Sequence, residues 1–314
     1  MTGRRAIPWR LNLTLAVCAC GGSLAMLWTA SHAESVLALV AGALAFSFVN
    51  NTVFALLHEA VHGLLLPDRR ANEATGLVLA AFFPTSLLFH RTCHLGHHRR
   101  NRTTVELFDY YRPEDSRLLK SAQWYGILTG LYWLLPPLGC LLMLTLPRRV
   151  VERLSGAHWS PRVEHVGAEA MLSGFRTVSL GRLRAEVVLT LSLQSAIWLA
   201  FDLTLVGWSA CYVAFAVNWS ALQYADHAWS PLDVRDGAWN LRVNPLTRWL
   251  FLNYHHHLAH HQHPDVPWLH LGDLVDTSRP RPAFWRVYLS MWAGPRALPP
   301  GMRPARTSLT PPEI

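Results

Sequence analysis

Long apolar stretches separated by short polar gaps dominate the chain, over residues 11–30, 36–57, 76–89, 124–146, 185–201 and 205–222. A run of about 20 apolar residues is long enough to cross a bilayer as a helix. The runs 11–30, 36–57, 185–201 and 205–222 are expected to be four spans, with Asp202 dividing the last two. The run 76–89 is short for a span and contains Pro84, while 124–146 is interrupted by Pro136 and Pro137. Both are predicted to enter the membrane, bend and return. The first run follows a short basic start and precedes Ser31-His32-Ala33, like a cleavable leader. It is longer than a leader's apolar core, so it is expected to be retained.

Basic residues orient these segments. Arg4, Arg5 and Arg10 place the N-terminus on the inner side, so that the second span returns there. Seven arginines between residues 147 and 184 put that loop on the same side. The pair 185–201 and 205–222 then goes out and comes back. The expected fold is an all-α integral membrane protein of about four transmembrane helices, with re-entrant or interfacial helices and a cytoplasmic cap. Residues 1–278 are expected to form one domain. Residues 279–314 are expected to be a Pro/Arg-rich tail, partly disordered and ordered only around an amphipathic stretch at 284–292.

Composition agrees with a membrane protein: of 314 residues, 51% are hydrophobic and only 15% charged, against about 25% charged in soluble domains. The net charge of +8 reads as inner loops facing anionic lipid, and no nucleic-acid motif accompanies it. The cysteines at 18, 20, 93, 140 and 211 form no C-x-x-C pair, which argues against a disulfide framework or an iron–sulfur cluster.

The chemistry lies in three histidine clusters: H-E-A-V-H at 58–62, H-L-G-H-H at 94–98 and H-L-A-H-H at 257–261. Positions i, i+3 and i+4 share a helix face, so each cluster can aim its rings at one point. Imidazole is the commonest metal ligand, and the count exceeds what one ion takes. Two ions with four or five ligands each fit it, and ligand type leaves zinc, copper, iron and nickel open.

The longer patterns H-E-A-V-H-G, H-R-T-C-H-L-G-H-H and N-Y-H-H-H-L-A-H-H-Q-H-P-D-V-P-W resemble the three histidine boxes of membrane fatty-acid desaturases and related hydroxylases. The resemblance covers roughly residues 36–271. It implies a non-haem centre of two iron ions that activates O2 against a C–H bond of a lipid chain. Its expected ligands are His58 and His62, then His94, His97 and His98, then His257, His260 and His261. In stearoyl-CoA-type desaturases a further histidine follows the last span, with an asparagine four residues earlier that reaches a metal through water. His227 matches that histidine, and Gln223 stands where the asparagine would be, which puts the water-mediated role in doubt. The first box is one residue shorter than in those enzymes.

Neighbouring polar residues are candidates for supporting roles. Glu59 could orient an imidazole or be solvated, Asn253 could cap a helix or bond a ligand histidine, and His255 and His256 adjoin the third box without completing its spacing. His90 and His263 are similar, whereas His158, His165 and His270 are expected to be ordinary surface or interfacial residues. Asp226, Asp233 and Asp236 could hold nearby Arg or His side chains. Phe82, Phe83, Trp133 and Trp219 could line a substrate tunnel, although helix packing explains any one of them better. The chain has no haem, flavin or iron–sulfur motif, so a separate electron donor is expected: a ferredoxin, a rubredoxin or a small cytochrome with its reductase. Arg99, Arg100, Arg102 and the 148–184 loop serve equally as a dock for an acidic donor or as lipid contacts. The resemblance leaves a desaturase first, and a hydroxylase or ketolase of a lipid or carotenoid-type substrate second. An intramembrane zinc protease using H-E-x-x-H is a remote alternative that leaves two boxes idle, and a metal transporter would place its ligands at the bilayer midplane.

Overall fold

The computed structural model describes residues 5–155 and 174–304 and is almost wholly helical. Its centre is made of α1 (Trp9–Ser31), α2 (Val36–His62) and α9 (Leu205–Ala225), packed along one another. Helix α8 (Leu180–Ala200) stands outside this trio, against α3 (Arg69–Phe82) and α6 (Leu135–Thr145). These four long helices, α1, α2, α8 and α9, are long and apolar enough to cross a membrane. Their outer faces expose Val17, Trp28, Leu37, Val188, Leu199 and Val213, a surface suited to lipid. Ser35, Ser179 and Thr204 start α2, α8 and α9 by accepting the backbone N–H three residues on.

The two shorter apolar runs form bent pairs. Helix α3 meets α4 (Leu87–Arg100) at 92°, with Pro84 in the break. Helix α5 (Arg117–Leu128) meets the segment Leu131–Thr145 at 86°. The bend is not at Pro136-Pro137, where the sequence placed it. Those prolines sit in the first turn of α6, where a missing N–H has no helical partner to lose. The chain turns instead at Gly130, whose φ is 86°. A Cβ there would lie 2.8 Å from the Val217 backbone nitrogen of α9, so glycine is required for both conformation and close approach. Gly130→Ala is expected to lower stability by about 1–3 kcal/mol. Thermal unfolding in detergent checks this, and an unchanged midpoint would show that the turn tolerates a side chain.

The remaining described helices are α7 (Arg148–Ser155), α10 (Pro245–Leu250), α11 (His257–Gln262) and α12 (Phe284–Met291). The amphipathic stretch at 284–292 contains α12, and the chain also makes contacts with the body beyond it. Met291 on α12 is fully buried, and its carbonyl accepts from Trp124 Nε1 at 2.6 Å. Two-residue strands β1 (Tyr110–Tyr111) and β2 (Arg296–Ala297) pair in parallel, tying this segment to the body. Much of the Arg-rich loop, including His158 and His165, lies outside the described residues.

Candidate metal centre

All nine histidines singled out in the sequence meet at the end of the bundle where α2 and α9 finish. His58 and His62 occupy the last two turns of α2, and His94, His97 and His98 lie along α4. His227 follows α9 directly, and His257, His260 and His261 line α11. They divide into two groups: His58, His62, His94, His98 and His260, and then His97, His227, His257 and His261. Within each group one nitrogen from every ring lies within 4.8 Å of the others. Each group draws on several boxes, so neither exists without the tertiary fold.

Several devices aim these rings. Arg91 on α4 donates to the carbonyls of Ala60 and Val61 at the end of α2, and its guanidinium is bidentate on Glu73. This joins the first box to the second. Glu186, buried on α8, accepts from Ser86 Oγ and Leu88 N–H, both at 2.8 Å, and so caps the start of α4. Leu252 and Asn253 both have left-handed backbones, at φ 46° and 58°. That strained turn presents Tyr254 to His257 to the cluster. Tyr254 lies between the groups, with its ring centroid 5.2 Å from His58 and 5.0 Å from His257.

A fully buried ion pair braces the second box against the His227 segment. Arg102 Nη1 lies 2.7 Å from Asp109 Oδ1, and its Nη2 donates to the Ser230 carbonyl. Asp109 also accepts from Tyr224 Oη at 3.2 Å and from the Trp229 N–H at 2.6 Å.

Protonation states test whether these residues fit a cation. Nδ1 of His97 faces Glu106 Oε2 at 2.7 Å, and Nδ1 of His227 faces the Gly237 carbonyl at 2.8 Å. Both acceptors require the proton on Nδ1, which leaves each Nε2 with a bare lone pair. Those two Nε2 atoms are 3.2 Å apart. Two lone pairs at that distance repel unless a cation lies beside them. The other group shows the same crowding, with Nε2 contacts of 2.9 Å for His62–His94 and His98–His260 and 3.0 Å for His94–His98. Burial, reinforced by neighbouring imidazoles, holds His227, His257, His260 and His261 well below the ordinary histidine range. They are neutral at pH 7, the form that binds metal. The donor set therefore fits two ions of a nitrogen-loving transition metal.

The supporting residues differ from expectation in several places. Gln223 accepts from Tyr254 Oη at 3.0 Å, the tyrosine that lies between the two groups. Asn253 neither caps α11 nor bonds a histidine of the groups; its Oδ1 accepts from Arg248 and its Nδ2 donates to the Trp268 carbonyl. His256 lies against His255, with ring centroids 4.0 Å apart and the planes tilted by 44°. Burial pushes His255 down to about 3 and His256 down to about 4. Glu59 accepts from the Trp268 N–H at 3.1 Å, and its other oxygen lies 3.9 Å from His58 Nδ1. His90 stands edge-on to Phe54 and Phe83, while His263 and His270 are partly exposed. Asp236 pairs with Arg279, Asp233 takes only nearby backbone N–H groups, and Asp226 lies beside the four-histidine group. Arg100 and Arg102 cannot form a docking face, because both are buried against Glu106 and Asp109.

Glu106 and Gly237 carried no signal in sequence, since their proximity to the rings arises from how separate segments pack. A cleft lined by Ala55, His58, Tyr254, His257, His260 and Trp268 touches both groups. Beyond it, Phe54, Phe83, Trp133 and Trp219 form an aromatic cluster of edge-on and tilted rings.

The sequence model of the fatty acid desaturase family matches residues 34–294. The chain belongs to that family. No curated protein matches the chain.

Proposed function

We propose that this member of the fatty acid desaturase family is an O2-dependent oxidoreductase that inserts a double bond into a fatty acyl chain. The observation that carries this reading is the pair of adjacent histidine groups, five and four rings, at one end of an apolar helical bundle. His58, His62, His94, His98 and His260 would hold one iron ion, and His97, His227, His257 and His261 the other. When bound, the iron pair supplies activation of O2 against a C–H bond.

The protein's own part is geometric and electrostatic. Glu106 and the Gly237 carbonyl keep the protons of His97 and His227 on Nδ1, so that Nε2 faces the ion. The aromatic cluster around Phe83 keeps the site dry and offers an apolar wall to a hydrocarbon chain. Two electrons per turnover must come from outside, so a ferredoxin, a rubredoxin or a small cytochrome with its reductase is the expected partner. Positive residues at the chain start and in the 148–184 loop support a site on the cytoplasmic side.

A zinc protease would need Glu59 to face a metal-bound water. Glu59 is instead held by the Trp268 N–H and flanks His58 from the side of Nδ1. Five imidazoles around the same point also exceed the three protein ligands that a catalytic zinc takes.

Mass spectrometry of lipids from cells expressing the chain, beside its His97→Ala variant, tests the reading. Acyl chains lacking two hydrogens and absent with the variant support it. Chains that gain one oxygen instead identify a hydroxylase, and identical lipid profiles refute an oxidase of either kind. In a second test, Glu106→Gln should weaken iron retention at the four-histidine group about 10–100-fold. Equilibrium dialysis against a chelator measures this; equal retention would show that Glu106 does not orient His97.

A further inference from the structure

We propose that Asp226 is the positioning residue of the four-histidine group, its carboxylate holding His257 so that the far nitrogen of that ring faces the ion. The inference rests on the two-ion reading above. Asp226 is completely buried, and neither of its carboxylate oxygens has a hydrogen-bond partner. Among the described residues no Arg or Lys forms an ion pair with it. Its nearest ionisable contacts are Nδ1 of His257 at 3.5 Å and Nε2 of His227 at 3.8 Å. Nδ1 of His257 is likewise buried without a partner. A lone acceptor and a lone donor thus face each other inside dry protein.

Asp226 cannot swing out to water. It ends α9, with its N–H bonded to the Leu222 carbonyl and its own carbonyl accepting from the Trp239 N–H at 2.7 Å. A buried carboxyl group whose oxygens lack hydrogen-bond partners is costly for a protein to hold. A cation on the far side of the imidazole removes that penalty, with the ring N–H between ion and carboxylate. A shift of about half an ångström turns the 3.5 Å contact into a hydrogen bond. Nε2 of His257, 3.0 Å from Nε2 of His227, is already turned toward the group.

The arrangement is one-sided. Four imidazoles are backed by two carboxylates, Glu106 behind His97 and Asp226 behind His257. The five-histidine group has Glu59 beside it, with one oxygen on the Trp268 N–H and the other 3.9 Å from His58 Nδ1. The two groups therefore differ in their carboxyl contacts, at 2.7 Å and 3.5 Å in the four-histidine group and 3.9 Å in the five-histidine group.

Full-length protein in detergent, loaded anaerobically with isotopically enriched ferrous iron, tests the assignment by iron retention against a graded chelator and by Mössbauer spectroscopy. The wild type should hold two ions with two distinguishable signals. Asp226→Asn should release one ion at a chelator concentration about tenfold lower or more, with one signal altered and the other unchanged. Asp226→Glu should keep both ions and shift the same single signal. Combined with His257→Ala, Asp226→Asn should add nothing to the loss caused by His257→Ala alone. Unchanged release and spectra in Asp226→Asn, or additive losses in the double variant, would overturn the proposal. If Asp226→Asn does not fold, an unaltered Asp226→Glu spectrum overturns it equally. A wild type that holds fewer than two ions would instead sink the two-ion reading, and this proposal with it.

Discussion

His260→Ala is expected to abolish lipid oxidation, by at least about 100-fold, while the protein still inserts into the membrane. Removing a residue that only supports a ligand commonly costs 10–100-fold, and loss of a ligand should exceed that. His260 is central to the five-histidine group: its Nε2 is 2.9 Å from that of His98, and its ring lies 4.5 Å from His58 and 4.7 Å from His62. It is also the member of that group supplied by the third box, so its loss leaves the first two boxes without their long-range partner. Lipid profiles from membranes with matched protein levels check the activity, and iron per purified chain checks the cause. Full activity in His260→Ala would mean that this ring does not hold an ion.

Asp109→Ala should cause the largest loss of stability, about 3–5 kcal/mol, because it leaves the buried Arg102 guanidinium without its counter-charge. It also frees the Trp229 N–H and the Tyr224 hydroxyl, which Asp109 accepts. Since folded domains hold only about 5–15 kcal/mol in total, poor accumulation in cells is expected as well. Replacing both partners, Arg102→Met with Asp109→Leu, should destabilise less than Asp109→Ala alone, as no charge is then stranded. Thermal unfolding in detergent, followed by tryptophan fluorescence, ranks the three proteins. A single variant as stable as the wild type would remove this pair from the supports of the site.

The parts of the structure that depend on local pattern were legible beforehand. Four spans follow from apolar run length, and the two bends follow from runs too short or too broken to cross. A spacing of four keeps His94 with His98 on α4 and His257 with His261 on α11, as helical geometry requires, whereas His97 and His260, expected at the same points, each go to the opposite group. The position of the second bend was misread, since Pro136 and Pro137 are the visible helix breakers while Gly130 acts through its approach to α9. The supporting groups were harder still. Glu106 reaches His97 across a loop, Glu186 caps α4 from a span far along the chain, and Asn253 points away from the rings. Arg100 and Arg102 looked like surface charge because burial cannot be seen in a basic run when the acids that neutralise it, Glu106 and Asp109, follow at irregular distances. Residue types announce a metal centre; which neighbours orient it is decided by packing.

Each histidine group combines rings from early and late in the chain, His58 with His260 and His97 with His261. During synthesis, then, neither can close until α11 has left the ribosome. Before that moment the early boxes offer an incoming ion only partial sets. A metal held by both complete groups would therefore load only onto a chain finished through α11, and half-made chains would be spared a redox-active ion.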